Sequence, residues 1–345
     1  MKTIFLTAAL GLLLTGTALA QSGEKPYLTK AFAGAAISDV EVETSGGGIR
    51  MEGVDPSQSR VEVYIRGNNG RELSSQEIAE RLDKYYIVKI ELDGGRLYAS
   101  AKRKDHDSWN NDHLSISFHV FAPKSTSTHL NTSGGGIDIR HLSGGTQNFN
   151  TSGGGLEVSD ITGKIDGSTS GGGIHVDHCA KDIHLTTSGG GIHADHLDGN
   201  IYLETSGGGL TLNYLSGTID AGTSGGGIDG GHIQGDLKTS TSGGSIDLSD
   251  LSCTLDASTS GGGVDVSMTA LGKYVKLSTS AGSISLRIPA GKGLDLTLDA
   301  NHIDTEGLGA FNGTKEKDHM RGTVNGGGIP IRLDANSGGI SLTAR

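Results

Sequence analysis

Cysteine is nearly missing from this chain, with Cys179 and Cys253 the two copies in 345 residues. That excludes a dense disulfide framework, the usual staple of small exported domains. Proline occurs 5 times, tryptophan once, and aromatic residues make up 4% of the chain, which suits a regular aliphatic core. Basic residues are outnumbered, 28 Lys and Arg against 39 Asp and Glu, which makes nucleic acid a poor partner. After the N-terminus no apolar run approaches the roughly 20 residues that cross a bilayer. Gly-x-Ser-x-Gly occurs once, from Gly222 to Gly226, where its serine belongs to a repeated glycine corner rather than to a strand-to-helix elbow. Outside the N-terminal region, the three-and-four spacing of an amphipathic helix is also missing.

Residues 1–20 read as a signal peptide. Lys2 supplies the charge, Ile4 to Leu14 the apolar stretch, and Ala18-Leu19-Ala20 the small-residue cleavage site before Gln21. No cysteine follows that site, so a lipid anchor is not expected. Removing Lys2 with the signal leaves 27 basic against 39 acidic residues, a formal charge of −12. The expected product is exported and located in the periplasm, on the cell surface or in the medium.

What is abundant is glycine, 58 residues, and it is periodic. Thr-Ser-Gly-Gly-Gly followed by Ile, Leu or Val starts at Thr132, Thr151, Thr169, Thr187, Thr205, Thr223 and Thr259, with altered copies at Thr241 and Thr279. The steps are 19, 18, 18, 18, 18, 18, 18 and 20 residues. Such a period marks a repeat architecture whose units bury their apolar faces on one another. Counting each Thr as position zero, position five is always aliphatic, from Ile137 to Ile284, and position seven mostly so. The residues between them are polar, which is the alternation of a half-buried strand. A second apolar pair falls at positions ten and fourteen, as in Leu197 and Ile201. Eighteen residues are too few for a strand–helix–strand unit, which needs about 30.

The predicted fold is therefore all-β, a parallel β-solenoid of about 18-residue coils whose equivalent residues stack about 4.8 Å apart. Its hand is taken as right-handed from the rule for parallel crossovers. The glycine triplet is placed at a corner, where the backbone crowds its neighbours and φ is expected to be positive. Thr shares strand parity with Leu203 and Ile201, so its side chain is expected to point inward in a hydroxyl ladder. That parity argues against an outward, ice-binding Thr array. Cys179 and Cys253 lie four coils apart, roughly 19 Å, too far for a disulfide. Both are expected to stay free, with Cys179 buried.

Four segments are expected. Residues 1–20 are the signal, 21–128 an α+β N-terminal cap, 129–290 the regular solenoid, and 291–345 irregular C-terminal coils. The cap contains one early coil, Thr44 to Ile49, and strands at Arg60–Ile65, Tyr86–Leu92, Arg96–Lys102 and Leu114–Phe121. Its one helix runs from Ser74 to Tyr86, with Ser74 and Glu77 as a capping box and Ile78, Leu82 and Tyr85 on one face. The polar loop Arg103–His113 carries Trp109, a residue that can anchor a partner or pack under its own loop. Gly307–Gly322 reads as a charged loop. Asn325–Ile329 and Asn336–Ile340 read as altered coils.

His175-Val-Asp177-His178 recurs one coil later as His193-Ala-Asp195-His196. Stacking places His175 on His193 and Asp177 on Asp195, so these four are the candidate ligands for Zn²⁺ or another divalent ion. The alternative is a solvated face duplicated with its repeat. Asp229, Asp247 and Asp265 form a second column that could hold a cation loosely. A calcium-binding nonapeptide roll is disfavoured, because the glycine cluster occurs once per 18 residues rather than twice. The uniform coils leave no loop insertions to build a polysaccharide-cleaving cleft, so no catalytic residues are expected.

The early Glu43-Thr-Ser-Gly-Gly-Gly-Ile49, the strand Ser115 to Pro123 and the repeated motif resemble the bacterial putative-adhesin family of β-strand repeat proteins. This domain-of-unknown-function family is similar in style to auto-transporter adhesin head domains. The resemblance covers roughly residues 35–345. It implies a parallel β-solenoid in the bacterial envelope, without catalytic residues or a cofactor. The expected function is a non-catalytic envelope protein, an adhesin or scaffold presenting flat faces to an extracellular or envelope glycan or protein. The alternative is a divalent-cation-binding envelope protein that uses the His/Asp patch.

Overall fold

The computed structural model describes residues 25–67, 73–104 and 113–345, so the signal segment and Trp109 lie outside the described residues. Among the described residues, no helix is long and apolar enough to cross a membrane. The regular region is a stack of parallel coils. Ile174–Thr187 pairs with Ile192–Thr205, which pairs with Leu210–Thr223, each residue opposite the one eighteen later. Each coil has two extended stretches. In the coil from Thr169, Ile174, Val176, Cys179, Ile183, Leu185 and Thr187 point inward and are buried. All but Thr187 join one continuous apolar core running from Ile37 to Leu342. The odd steps are absorbed locally. The 19-residue step coincides with a register shift between Ser143 and Thr146, and the 20-residue step with shifts in Val264–Thr279.

The threonine ladder points inward, as parity required. Each Thr is at most 7% exposed, from Thr44 to Thr279. From Thr132 onward its hydroxyl donates to the middle-glycine carbonyl of the adjoining coil, as in Thr187 Oγ1 to Gly172 O at 2.7 Å and Thr205 Oγ1 to Gly190 O at 2.6 Å, whereas Thr44 Oγ1 donates to Ile116 O at 2.8 Å. Such a bond contributes about 1 kcal/mol net, and its loss would strand a carbonyl. The triplet does crowd its neighbours, but it does not adopt positive φ. A Cβ on the middle glycine of any coil would meet backbone of the adjoining one, at 2.2 Å for Gly172 and 2.3 Å for Gly208. Glycine is demanded there by stacking, not by local conformation.

Positive φ falls instead at position nine, the opposite corner. His141, Asp160, His178, His196, Tyr214, His232 and Asp250 have φ between 50° and 60°. This single left-handed residue breaks strand parity, so position eight faces out while position ten faces in. His and Asp accept that conformation more readily than most residues. Position twelve is left-handed glycine at Gly199, Gly217 and Gly235, and Lys181 holds the same place at φ 91°.

Both ends close by the chain returning on itself. Arg96–Arg103 and Leu114–Pro123 lie outside the early coil, parallel to Asp39–Thr44 and Ile49–Val54. The chain then passes to the other side, where Ser127–Thr132 and Ile137–Arg140 stack on that same coil. Antiparallel strands Tyr86–Asp93 and Arg60–Gly67 cover the outer coil, and Leu28–Ala31 adds to the latter. Covering this edge removes a template for pairing with other chains. The helix Ser75–Tyr85 carries the expected capping box, with Ser74 N donating to Glu77 Oε2 at 2.9 Å. Ile78 is buried, and Leu82 and Tyr85 pack partly against the core.

At the C-terminus, Ile329–Ala344 slides between the last regular coil and Leu294–Glu306, parallel to both. Asn336–Ile340 is a true corner, with Gly338 in the crowded middle place. Asn325–Ile329 is not. Its four left-handed residues, Asn325 to Gly328, turn the chain between antiparallel His319–Val324 and parallel Ile329–Ala344. The segment read as a charged loop contains a hairpin, Phe311–Lys315 against His319–Val324. Its mostly exposed, polar first strand lacks the alternation that signals a strand in sequence.

Candidate functional site

The most concentrated chemistry sits at the left-handed corner of two neighbouring coils. Asp177 and Asp195 are the last outward residues before the corner in Ile174–Thr187 and Ile192–Thr205, and each is followed by a left-handed histidine with φ 50°. That turn swings the imidazole back toward the preceding carboxylate. His178 Nδ1 lies 2.8 Å from Asp177 Oδ1, and His196 Nδ1 lies 2.8 Å from Asp195 Oδ1. The coils also communicate, with His196 Nδ1 3.8 Å from Asp177 Oδ1. Asp195 Oδ1 is buried and has no well-aligned hydrogen bond despite that close nitrogen. The hydrogen bond to Asp177 and that carboxylate's negative charge raise the His178 pKa above the ordinary histidine value.

The structure therefore divides the expected ligands. Asp177 and Asp195 take part in the corner cluster. His175 and His193 face outward as predicted and stack, centroids 5.0 Å apart and planes 8° apart. Neither makes an ion pair with Asp177 or Asp195. Among the described residues, the one group of three metal-ligating side chains with atoms mutually within 4.8 Å is Asp177, His178 and His196. The sequence did carry a signal for these histidines. His, Asp and Tyr recur at position nine, the one place where parity must break.

The corner also builds a ring ladder. His178 stacks on His196 at 4.6 Å, His196 on Tyr214 at 4.8 Å, and Tyr214 on His232 at 4.6 Å, with planes within 12° of parallel. His141 lies 3.4 Å from the Asp160 carboxylate on the same corner. On the strand face, Asp229, Asp247 and Asp265 stack in register. Asp247 is pushed up from the usual carboxylate range, first by burial and then by the charges of Asp229 and Asp265. Asp265 is paired with Arg287 at 2.9 Å. The opposite face neutralises itself through Lys238–Asp220 and Lys276–Asp256, each 3.0 Å. Both cysteines are free and Cys179 is buried, as expected; Cys253 is buried as well, and burial pushes each thiol up to about 12.

Residues 180–343 match the family described as Toastrack DUF4097, a domain of unknown function, so the resemblance read from the motifs is borne out. Among solved structures, the chain is similar to a putative cell adhesion protein from Clostridium sporogenes ATCC 15579, at 11% identity, TM-score 0.21, covering 93% of this chain and 100% of that one. It is also similar to a putative lipid binding protein from Parabacteroides distasonis ATCC 8503, at 13% identity, TM-score 0.32, covering 91% and 95%. A third is a putative adhesin from Bacteroides fragilis NCTC 9343, at 11% identity, TM-score 0.25, covering 91% and 96%. No curated protein matches the chain.

Proposed function

We propose that this is an exported, non-catalytic envelope protein that presents the flat faces of its solenoid to a glycan or protein partner. The observation that carries the reading is the register of its outward side chains. His175, His193, Thr211, Asp229, Asp247 and Asp265 form one unbroken column. His184, Tyr202, Asp220, Lys238 and Asp256 form another. Repeated polar sites at about 4.8 Å spacing suit an extended or polymeric partner better than a small molecule. Tyr202, Tyr214 and Tyr274 add exposed rings, each with a polar tip for an interface. A second reading, a divalent-cation-binding envelope protein, is favoured by the convergence of Asp177, His178 and His196.

Protease shaving of intact cells, with a periplasmic protein as control, tests the placement. Cleavage while the control survives supports surface display and adhesion. Protection until the outer layer is permeabilised supports a periplasmic scaffold. Recovery from the cytoplasm with residues 1–20 still attached would overturn the proposal.

A further inference from the structure

We propose that Asp177, His178 and His196, with Asp195 beside them, form a site for one borderline divalent transition-metal ion of the Zn²⁺ class. The inference goes beyond the scaffold reading and does not depend on it. A tetrahedral ion with bonds of about 2.0–2.1 Å holds its ligand atoms about 3.4 Å apart. The separations of Asp177 Oδ1 from His178 Nδ1, 2.8 Å, and from His196 Nδ1, 3.8 Å, straddle that value. Small rotations of exposed side chains would bring the atoms to bonding distance.

The site is also ordered before any ion arrives. The two histidines occupy the same left-handed position in coils locked by a continuous parallel ladder. Their rings are stacked on each other, and Tyr214 backs His196 from the next coil. Much of the side-chain freedom that binding would cost is therefore already lost. Asp195 Oδ1 is buried, and its one close neighbour, His196 Nδ1 at 2.8 Å, is not aligned as a hydrogen bond. Its place beside His196 Nδ1 suits either a fourth ligand or a carboxylate that orients the ring. Two imidazole nitrogens with carboxylate oxygens favour Zn²⁺, Cu²⁺, Ni²⁺ or Co²⁺ over Ca²⁺ and Mg²⁺, which prefer all-oxygen shells. The acidic side chains around the corner, Asp160 included, add attraction for a cation.

The test is titration of Zn²⁺ into tag-free residues 21–345 against a chromophoric chelator, repeated with Co²⁺ to read its visible absorption. His178→Asn and His196→Asn suit the left-handed corner, because Asn tolerates that backbone. Circular dichroism checks that each variant is folded. The expected result is one ion per chain, at least tenfold weaker binding in each variant, and loss of the Co²⁺ spectrum in the double variant. The His175→Asn/His193→Asn double variant should bind as the parent does. Failure to bind one equivalent at 100 µM ion, roughly 5.5 kcal/mol of binding energy, would overturn the proposal. So would parent-like affinity in the His178→Asn/His196→Asn protein, or loss of affinity in the His175/His193 control.

Discussion

Replacing a single middle glycine should damage the stack far more than replacing the glycine before it. In Gly190→Ala the new Cβ would sit 2.4 Å from both Gly172 O and Gly173 N. Ordinary contacts between heavy atoms lie at about 3.5–4.0 Å, so the coils must part by roughly 1 Å at this corner. Neither neighbour is a flexible side chain, so nothing can swing aside. Separation also strains the bond from Thr187 Oγ1 to Gly172 O, 2.7 Å, which spans the same joint. Overpacking at its upper range, plus one weakened hydrogen bond, gives a cost of about 3–4 kcal/mol. In Gly189→Ala the nearest atom is 3.1 Å away, and the expected change is about 1 kcal/mol or less. The repeats already hold this experiment. Ala281 and Ser337 replace the first glycine, and Ser245 and Ser283 the third, while Gly244, Gly282 and Gly338 keep the middle. Urea midpoints of the two variants, with hydrogen exchange across Thr187–Thr223 to detect local opening, read the difference. Equal costs at Gly189 and Gly190 would refute the stacking argument.

Three further outcomes are expected. Lys181 has φ 91° where neighbouring coils have glycine, so Lys181→Gly should raise the urea midpoint by the equivalent of about 1 kcal/mol; a lower midpoint would contradict the strain. Asp247 has its folded pKa raised, so its ionised form penalises the fold at pH 7 and the penalty fades as pH falls through the folded value toward the unfolded one. Asp247→Asn should therefore raise the melting temperature at pH 7, with no gain left at about pH 3.5, below the ordinary aspartate value. Cys179 and Cys253, buried with thiols near 12, should ignore a thiol reagent at pH 8 in the native protein and both react in denaturant.

Much of this architecture was legible because an eighteen-residue period writes the same instruction many times. Alternation at Ile174 and Val176 gave the strand, Thr parity gave the inward ladder, and Ser74 with Glu77 gave the helix start. What escaped depends on contacts distant in sequence. The middle glycines answer to a coil eighteen residues away, so a local reading assigned them a positive φ that they do not have. The return of Ile329–Ala344 between two earlier strands leaves no trace in local pattern. The corner site fell between these cases. The aspartates and the duplicated histidines were visible, but period-two parity selected His175 and His193. One left-handed residue at position nine brings His178 and His196 to the carboxylates instead.

The most direct test of the scaffold reading is co-sedimentation of tag-free residues 21–345 with isolated envelope material from the producing bacterium. Two variants would accompany it, one with Tyr202, Asp220 and Lys238 changed to Ser, the other with Asp229, Asp247 and Asp265 changed to Ser. The account predicts saturable binding of the parent and at least tenfold weaker binding when the contacting face is altered. Absence of saturable binding, or binding indifferent to both altered faces, would contradict it.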